Sequence, residues 1–142
     1  GEQLQLCYRF ATEPFALYPG ITLDVYGLDS PVALTLVAGV GATVSLAGFG
    51  VAEGDRFKWV DANSSCATSA LSEFGGDMEV DEDGSAEVVP LVGAEALELC
   101  YRFATEPYAR YADITLDSLG VSGPKYTVAV AGVSESIALQ GK

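Results

Sequence analysis

Apolar and polar residues alternate with a period of two along most of the chain, which is the pattern of half-buried β-strands. In residues 97–103 the leucines and aromatic residues occupy the odd positions, whereas Glu98, Cys100 and Arg102 occupy the even ones. Runs of this kind, separated by turn residues, predict strands at 33–38, 42–48, 55–60, 78–82, 86–92, 97–104 and 113–120. We expect a short helical turn within residues 65–74 and no longer helix. Strands at this spacing predict an all-β fold of two packed sheets.

The parity of each predicted strand also indicates which side chains are buried. Phe57 and Trp59 share one face of their strand, and Arg56 and Lys58 share the other. The same rule, applied to the other strands, predicts a core that contains Leu36, Val44, Leu46, Phe57, Trp59, Val88, Leu99, Tyr101 and Phe103.

Residues 32–52 carry no charge, and their length is that of a membrane-spanning helix. The segment is rich in Gly, Thr and Ser, however, and Val44, Leu46 and Gly48 alternate with smaller or polar residues. We therefore interpret it as two buried strands and expect no membrane insertion.

The chain contains a long internal repeat. LQLCYRFATEP at residues 4–14 returns as LELCYRFATEP at residues 97–107, an offset of 93 residues. Held without a gap to the end of the chain, this offset aligns residues 1–49 with residues 94–142, and 25 of the 49 pairs are identical. A period of this length suits an immunoglobulin-sized β unit.

Turn residues followed by a new apolar strand place the unit boundaries near Ser30 and Gly123. Residues 1–29 are then the C-terminal part of one repeat, residues 30–122 a complete immunoglobulin-like repeat, and residues 123–142 the N-terminal part of the next. The two end pieces lack everything that corresponds to residues 50–93, so together they do not make a whole unit. We expect the sequence to be a window from a longer tandem array.

The repeat also suggests how the three cysteines pair. Cys7 and Cys100 are equivalent positions, and Cys66 is the cysteine of the middle of the unit. One bridge per unit would join Cys66 to Cys100 and leave the partner of Cys7 before residue 1. Cys100 shares the polar face of its predicted strand with Glu98 and Arg102. The bridge should therefore hold the loop at 61–72 against the outside of the sandwich. Two reduced cysteines are the alternative, and metal ligation is poorly supported without a CxxC motif or a histidine.

Asn63-Ser64-Ser65 matches the N-glycosylation pattern, three residues before Cys66. A chance match is the alternative for a pattern this short. Together with a disulfide, the pattern indicates an extracellular or cell-surface protein that carries a glycan on Asn63.

Composition and charge argue against several functions. A net charge of −13 without histidine disfavours nucleic acid and anionic lipid as partners, and a Ser-His or Cys-His catalytic pair cannot form. We expect neither a catalytic site nor a cofactor. In the acidic stretch at 77–83, Asp81 and Asp83 are weak candidates for calcium, because the spacing of an EF-hand is missing. A solvated turn is the alternative.

The repeated motif RFATEP is predicted to lie at the junction between units. We expect Arg9 or Arg102 to pair with the Glu of its own copy, and aromatic residues at 15/108 and 18/111 to pack between units. A ligand contact is the alternative. The predicted junction residues are Arg9, Glu13, Pro14, Tyr18, Arg102, Glu106, Pro107 and Tyr111.

The segments TVSLAGFGVAEGDRFKWV, VDEDGSAEV and LELCYRFATEPYARYADITLDSL, with Cys66 between the first two, resemble a repeat of large algal and protist surface proteins. The first half is also similar to immunoglobulin-like domains of the IPT/TIG type. This resemblance implies paired cysteines at 66 and 100 and a place in long extracellular chains, such as the shaft proteins of flagellar hairs (mastigonemes).

We therefore expect a structural repeat unit of an extracellular filament or surface coat, whose partners are copies of itself or neighbouring repeats. An extracellular carbohydrate-binding or adhesion module is the alternative, with its site at residues 63–71 or on the acidic hairpin.

Overall fold

The computed structural model of the chain describes residues 3–67, 70–123, 128, 130–134 and 136–142. In this part of the chain the elements are strands and one short 3₁₀ helix, and no α-helix is present. The strands are β1 (Gln3–Tyr8), β2 (Ala16–Asp24), β3 (Gly27–Ser30), β4 (Ala33–Val37), β5 (Ala42–Ser45), β6 (Ala47–Phe49), β7 (Arg56–Val60), β8 (Met78–Glu79), β9 (Ser85–Val88), β10 (Ala94–Arg102), β11 (Ala109–Leu119), β12 (Val121–Gly123) and β13 (Gln140–Gly141). The 3₁₀ helix, Ser72–Phe74, lies within the segment predicted to hold a helical turn.

A five-stranded sheet forms the larger layer of the fold, in the order β4-β11-β10-β7-β8. Its neighbours are antiparallel except β4 and β11, which run parallel. Leu99 lies opposite Trp59, and Tyr101 lies opposite Phe57. Large apolar side chains of β7 and β10 therefore stand side by side on one face of the sheet.

Outside this sheet, β5 and β9 supply Val44 and Val88 to the core cluster, and Leu46 joins it from between β5 and β6. All nine residues predicted for the core are buried and belong to one hydrophobic cluster. Leu97, Ile114, Leu116, Phe74 and Val80 complete the cluster. The prediction of an all-β fold is confirmed, and the arrangement is compatible with a β-sandwich.

The predicted strand at 42–48 is divided into β5 and β6, because the chain changes its pairing partner at Leu46. β5 pairs with β9, whereas β6 pairs with β3. Between them the Leu46 amide donates to the Gly84 carbonyl at 2.9 Å. Alternation of side chains predicts extended backbone but not the partner, so the division was missed.

The predicted strand at 78–82 shrinks to two residues because Asp81 begins a turn. One carboxylate oxygen of Asp81 accepts the amides of Asp83 and Ser85, each at 2.9 Å. A side chain that bonds nearby backbone in this way competes with the ladder of a sheet. The chain therefore turns back into β9 directly after Val80.

Two hairpins 93 residues apart pair in the same register. Leu6 lies opposite Tyr18 in β1-β2, as Leu99 lies opposite Tyr111 in β10-β11. Both hairpins shift register at the same point, after Gln5 and after Glu98. The pair β12-β13 likewise has the register of β3-β6, since Val121 and Gly141 pair as Leu28 and Gly48 do.

The predicted boundary near Ser30 falls at the end of β3 rather than before it. Because β3 pairs with β6, residues 27–30 lie with the segment that follows them. The division of the chain into repeat units near Ser30 stays a prediction, with β3 directly before the boundary.

Candidate functional site

A disulfide joins Cys66 to Cys100, with their Cα atoms 5.7 Å apart. Cys100 is fully buried, but it lies outside the core cluster to which its neighbours Leu99 and Tyr101 belong. The predicted pairing is confirmed, and the bridge pins a loop to the outer face of the sheet. Cys7 is exposed and has a free thiol.

Arg110 holds the same loop in place, next to the bridge. Its guanidinium donates to the carbonyl oxygens of Ala62 and Ser64 and forms an ion pair with Glu98. Asn63 lies between the two carbonyls and is exposed, so its side chain is accessible for a glycan. Sequence reasoning missed Arg110. The repeat alignment could have pointed to it, because the equivalent position in the first copy is Leu17 and the arginine is therefore not shared by the two hairpins.

Asp55 is a buried carboxylate that fixes the repeated motif in the complete unit. It is 3% exposed and accepts the Tyr101 hydroxyl at 2.7 Å, the Ala104 amide at 2.8 Å and the Ala52 amide at 2.9 Å. Sequence reasoning placed Asp55 at the start of the predicted strand 55–60 and did not identify its role. Burial raises the pKa of Tyr101 far above its usual value, and the hydrogen bond of its hydroxyl to Asp55 raises it further.

The motif RFATEP forms the hairpin turn that joins β10 to β11, and its first copy joins β1 to β2. Ala104 and Ala11 adopt left-handed backbone with φ of 48° and 46°. The amides of Glu106 and Glu13 each donate at 2.9 Å to a carbonyl three residues earlier, those of Phe103 and Phe10. Pro107 and Pro14 follow directly and lead into the second strand of each hairpin.

The predicted pairing of Arg with Glu in this motif is wrong for both copies. Arg102 donates to the Ala104 carbonyl at 3.1 Å, and neither Arg102 nor Arg9 is among the ion-paired residues in the described part of the chain. Arg9 lies over the Phe15 ring instead, 5.2 Å from its centre. The turn needs no ion pair because backbone hydrogen bonds close it.

Tyr108 packs against charged residues of its own unit. Lys58 lies 4.5 Å from the centre of its ring, and its hydroxyl donates to Asp77 at 2.6 Å. Burial and the bond to Asp77 raise the pKa of Tyr108 to about 12.

Tyr111 and Tyr18 are half-buried at equivalent places in the two hairpins. Burial raises the pKa of Tyr111, against the effect of a hydrogen bond with the Leu28 backbone. Tyr108 contacts residues of the predicted unit 30–122, whereas Leu28 lies before the predicted boundary near Ser30. The role of both rings between units stays a prediction.

Tyr26, between β2 and β3, makes a ring contact that sequence reasoning did not single out. Its ring lies 5.7 Å from that of Phe49 and 5.6 Å from that of Phe103. A Cβ on Gly50, whose φ is +89°, would stand 2.6 Å from the Tyr26 ring. Glycine at 50 therefore lets this ring close the space between β2, the end of β6 and the turn after β10.

The hairpin β1-β2 exposes the side chains that its counterpart buries. We call the side chains Leu4, Leu6, Tyr8, Phe10, Ile21 and Leu23 the hairpin face. Leu6 and Leu23 are 40% and 60% exposed, whereas their counterparts Leu99 and Leu116 are both 0% exposed. A surface hollow of about 240 Å³ lies between the two strands on this face. Exposed apolar patches on soluble proteins are candidate contact surfaces, and the hairpin face is one of them.

The other end of the chain shows the same contrast. Ile137 and Leu139 are 57% and 69% exposed, and their counterparts Val44 and Leu46 are 1% and 2% exposed. Equivalent residues therefore differ in burial at both ends of the repeat alignment.

Asp81 and Asp83, the two calcium candidates, lie in the turn between β8 and β9. Asp81 accepts two backbone amides and is a turn residue, while Asp83 is exposed. Within the described residues, no group of three or more Asp, Glu, Cys or His side chains is arranged to hold a metal ion. The calcium candidates are thus not joined by a third ligand among those residues.

Among the residues that the structure describes, no helix has the length and apolar character needed to cross a membrane. A surface cavity of about 810 Å³ is lined by residues that include Asp29, Arg110, Tyr111 and Asp113. Because Arg110 is engaged by the loop and by Glu98, its charge is not available to a ligand there.

Comparison with protein-family models finds no match to this chain, and comparison with curated protein sequences finds none either.

Proposed function

We propose that the chain provides tandem immunoglobulin-like units of 93 residues to an extracellular filament or cell-surface coat. The observation that carries this proposal is the repeated strand pairing. β1-β2 has the register of β10-β11, and β12-β13 has the register of β3-β6, both at the offset of the sequence repeat. The proposed complete unit is therefore flanked on both sides by strand pairs that have the same register as its own, as in repeat proteins.

The order of the strands supports the immunoglobulin-like topology. In that fold the third, sixth and seventh strands form one sheet, and the first, second and fifth belong to the other. Here β7, β10 and β11 lie in the larger sheet, and β3, β5, β6 and β9 face it. The short strand pieces β5 and β6 together take the place of one long second strand that pairs on both sides.

The disulfide and the exposed Asn63 support an extracellular location. They lie beside each other on the outer face of the sheet, where a glycan on Asn63 would not disturb the core. Neighbouring repeats and other copies of the chain are the proposed partners, through end-to-end and lateral contacts. These features also agree with the resemblance to surface and flagellar-hair repeats.

Electron microscopy of the native material tests this function. We expect fibres or coats with an axial repeat of one unit, roughly 40 Å for a sandwich of this size. Monodisperse particles that bind a soluble sugar would instead support the carbohydrate-binding alternative.

A further inference from the structure

We propose that the hairpin face is an acceptor surface, and that its occupant is a second copy of the segment 30–93, from another repeat unit. In this structure the same segment covers the counterpart of the hairpin face. The proposal deepens the proposed function and rests on it, because it names which part of one repeat completes another.

The contacts of β10-β11 show what the occupant supplies. β7 pairs with the outer edge of β10, and β4 pairs with the outer edge of β11. β5 and β9 supply Val44 and Val88, which lie in one cluster with Leu99 and Tyr101. All four strands come from residues 33–88.

The hairpin β1-β2 has matching edges and matching side chains. Its sheet has two strands within the described residues, so both outer edges remain unpaired there. Leu4, Leu6, Tyr8, Phe10, Ile21 and Leu23 are identical to the residues buried at 97, 99, 101, 103, 114 and 116. β2 also ends at Asp24, two residues short of the position that corresponds to the end of β11. Those two residues of β11, Ser118 and Leu119, are paired with β4.

A disulfide bond at Cys7 would identify the docked arrangement. Cys7 is equivalent to Cys100 and lies opposite Leu17 as Cys100 lies opposite Arg110. A docked segment would bring its own Cys66 to Cys7. With glutathione disulfide as oxidant, the two thiols lose two protons and two electrons, one S–S bond forms, and two glutathione molecules are released.

The test is a fusion that places an added copy of residues 30–93 directly before Gly1 of the full chain, refolded with glutathione disulfide. Free thiol per chain should fall from one to none, and peptide mapping should find Cys7 linked to Cys66 of the added copy. Hydrogen exchange of the β1 amides should slow by at least about 100-fold. The native Cys66–Cys100 bridge in the same molecule reports that the rest of the protein has folded.

Two matched variants separate burial from bridging. Cys66→Ser in the added copy should restore one free thiol but leave the β1 amides protected. Leu6→Glu should abolish that protection in the fusion, while it leaves the unfused chain unchanged because Leu6 is exposed there.

A fusion in which the native bridge forms while Cys7 stays reactive and β1 exchanges as before would overturn the proposal. This outcome is separate from that of microscopy. Native material without fibres would remove the filament function, even if the fusion closes as expected.

Discussion

At the residue scale, Asp55 shows how one carboxylate organises the repeated motif. Three donors from three places in the chain converge on it, the Tyr101 hydroxyl and the amides of Ala104 and Ala52. Each donor is satisfied only while the carboxylate is present, because water has little access to a site that is 3% exposed. Asp55 therefore links the start of β7 to the turn after β10.

Asp55→Ala should lower the free energy of unfolding by more than about 3 kcal/mol, since it leaves several buried donors without an acceptor. Chemical denaturation followed by tryptophan fluorescence measures this, because Trp59 is in the core. Tyr101→Phe should cost about 1–2 kcal/mol, and Tyr8→Phe, at the exposed equivalent position, should cost almost nothing. Equal effects of the two tyrosine variants would contradict the role given to Asp55.

From the raised pKa of Tyr108 we expect the folded protein to lose stability at alkaline pH. The Tyr108 pKa of about 12 in the folded chain is above the usual value near 10. The contribution from keeping this hydroxyl protonated is therefore complete below pH 10 and is lost as the pH rises through 12. Between these values the free energy of unfolding should fall less steeply in Tyr108→Phe than in the natural protein. Denaturant titrations at a series of pH values would show this, and identical slopes would contradict it.

At the element scale, alternation and turn residues predicted most strands, and all nine residues predicted for the core are buried. Parity succeeds because a strand in a two-sheet fold has one face toward the core, as Leu99 and Tyr101 illustrate. It could not predict pairing partners, and so missed the division at Leu46. It also could not predict contacts across distant segments, and so missed Arg110 and Tyr26. Of the site, sequence reasoning predicted the Cys66–Cys100 bridge. At the RFATEP motif the expected ion pair was wrong, and the role between units stays a prediction.

The disulfide should contribute about 3–4 kcal/mol to stability, because it closes a loop between residues 34 positions apart. Cys66→Ala combined with Cys100→Ala should lower the midpoint of denaturation accordingly. Cys7→Ala is the matched control, and it should leave stability unchanged because that thiol is exposed and free. A comparable loss in the control would mean that Cys7 is engaged in the folded protein.

At the scale of the whole molecule, burial follows neighbours rather than sequence. Tyr8 and Tyr101 occupy the same position in two copies of the motif CYRFATEP, yet they are 49% and 0% exposed. The repeat alignment identified the equivalent segments, and the structure gives the two hairpins the same strand register. The alignment could not give the burial of each copy, because that depends on the strands that lie against it.

The parallel pairing of β4 with β11 has a mechanical consequence. β4 is near the entry to the unit and β11 is at its exit, and they lie side by side from Ala33 opposite Thr115 to Val37 opposite Leu119. Tension along the chain would pull these neighbours in opposite directions, so their hydrogen bonds would carry the load together instead of opening one by one. Stretching single molecules should therefore give one sharp force peak per unit, at a force set by the rate of unfolding. A chain that lengthens smoothly under load would show that this strand pair does not bear the tension.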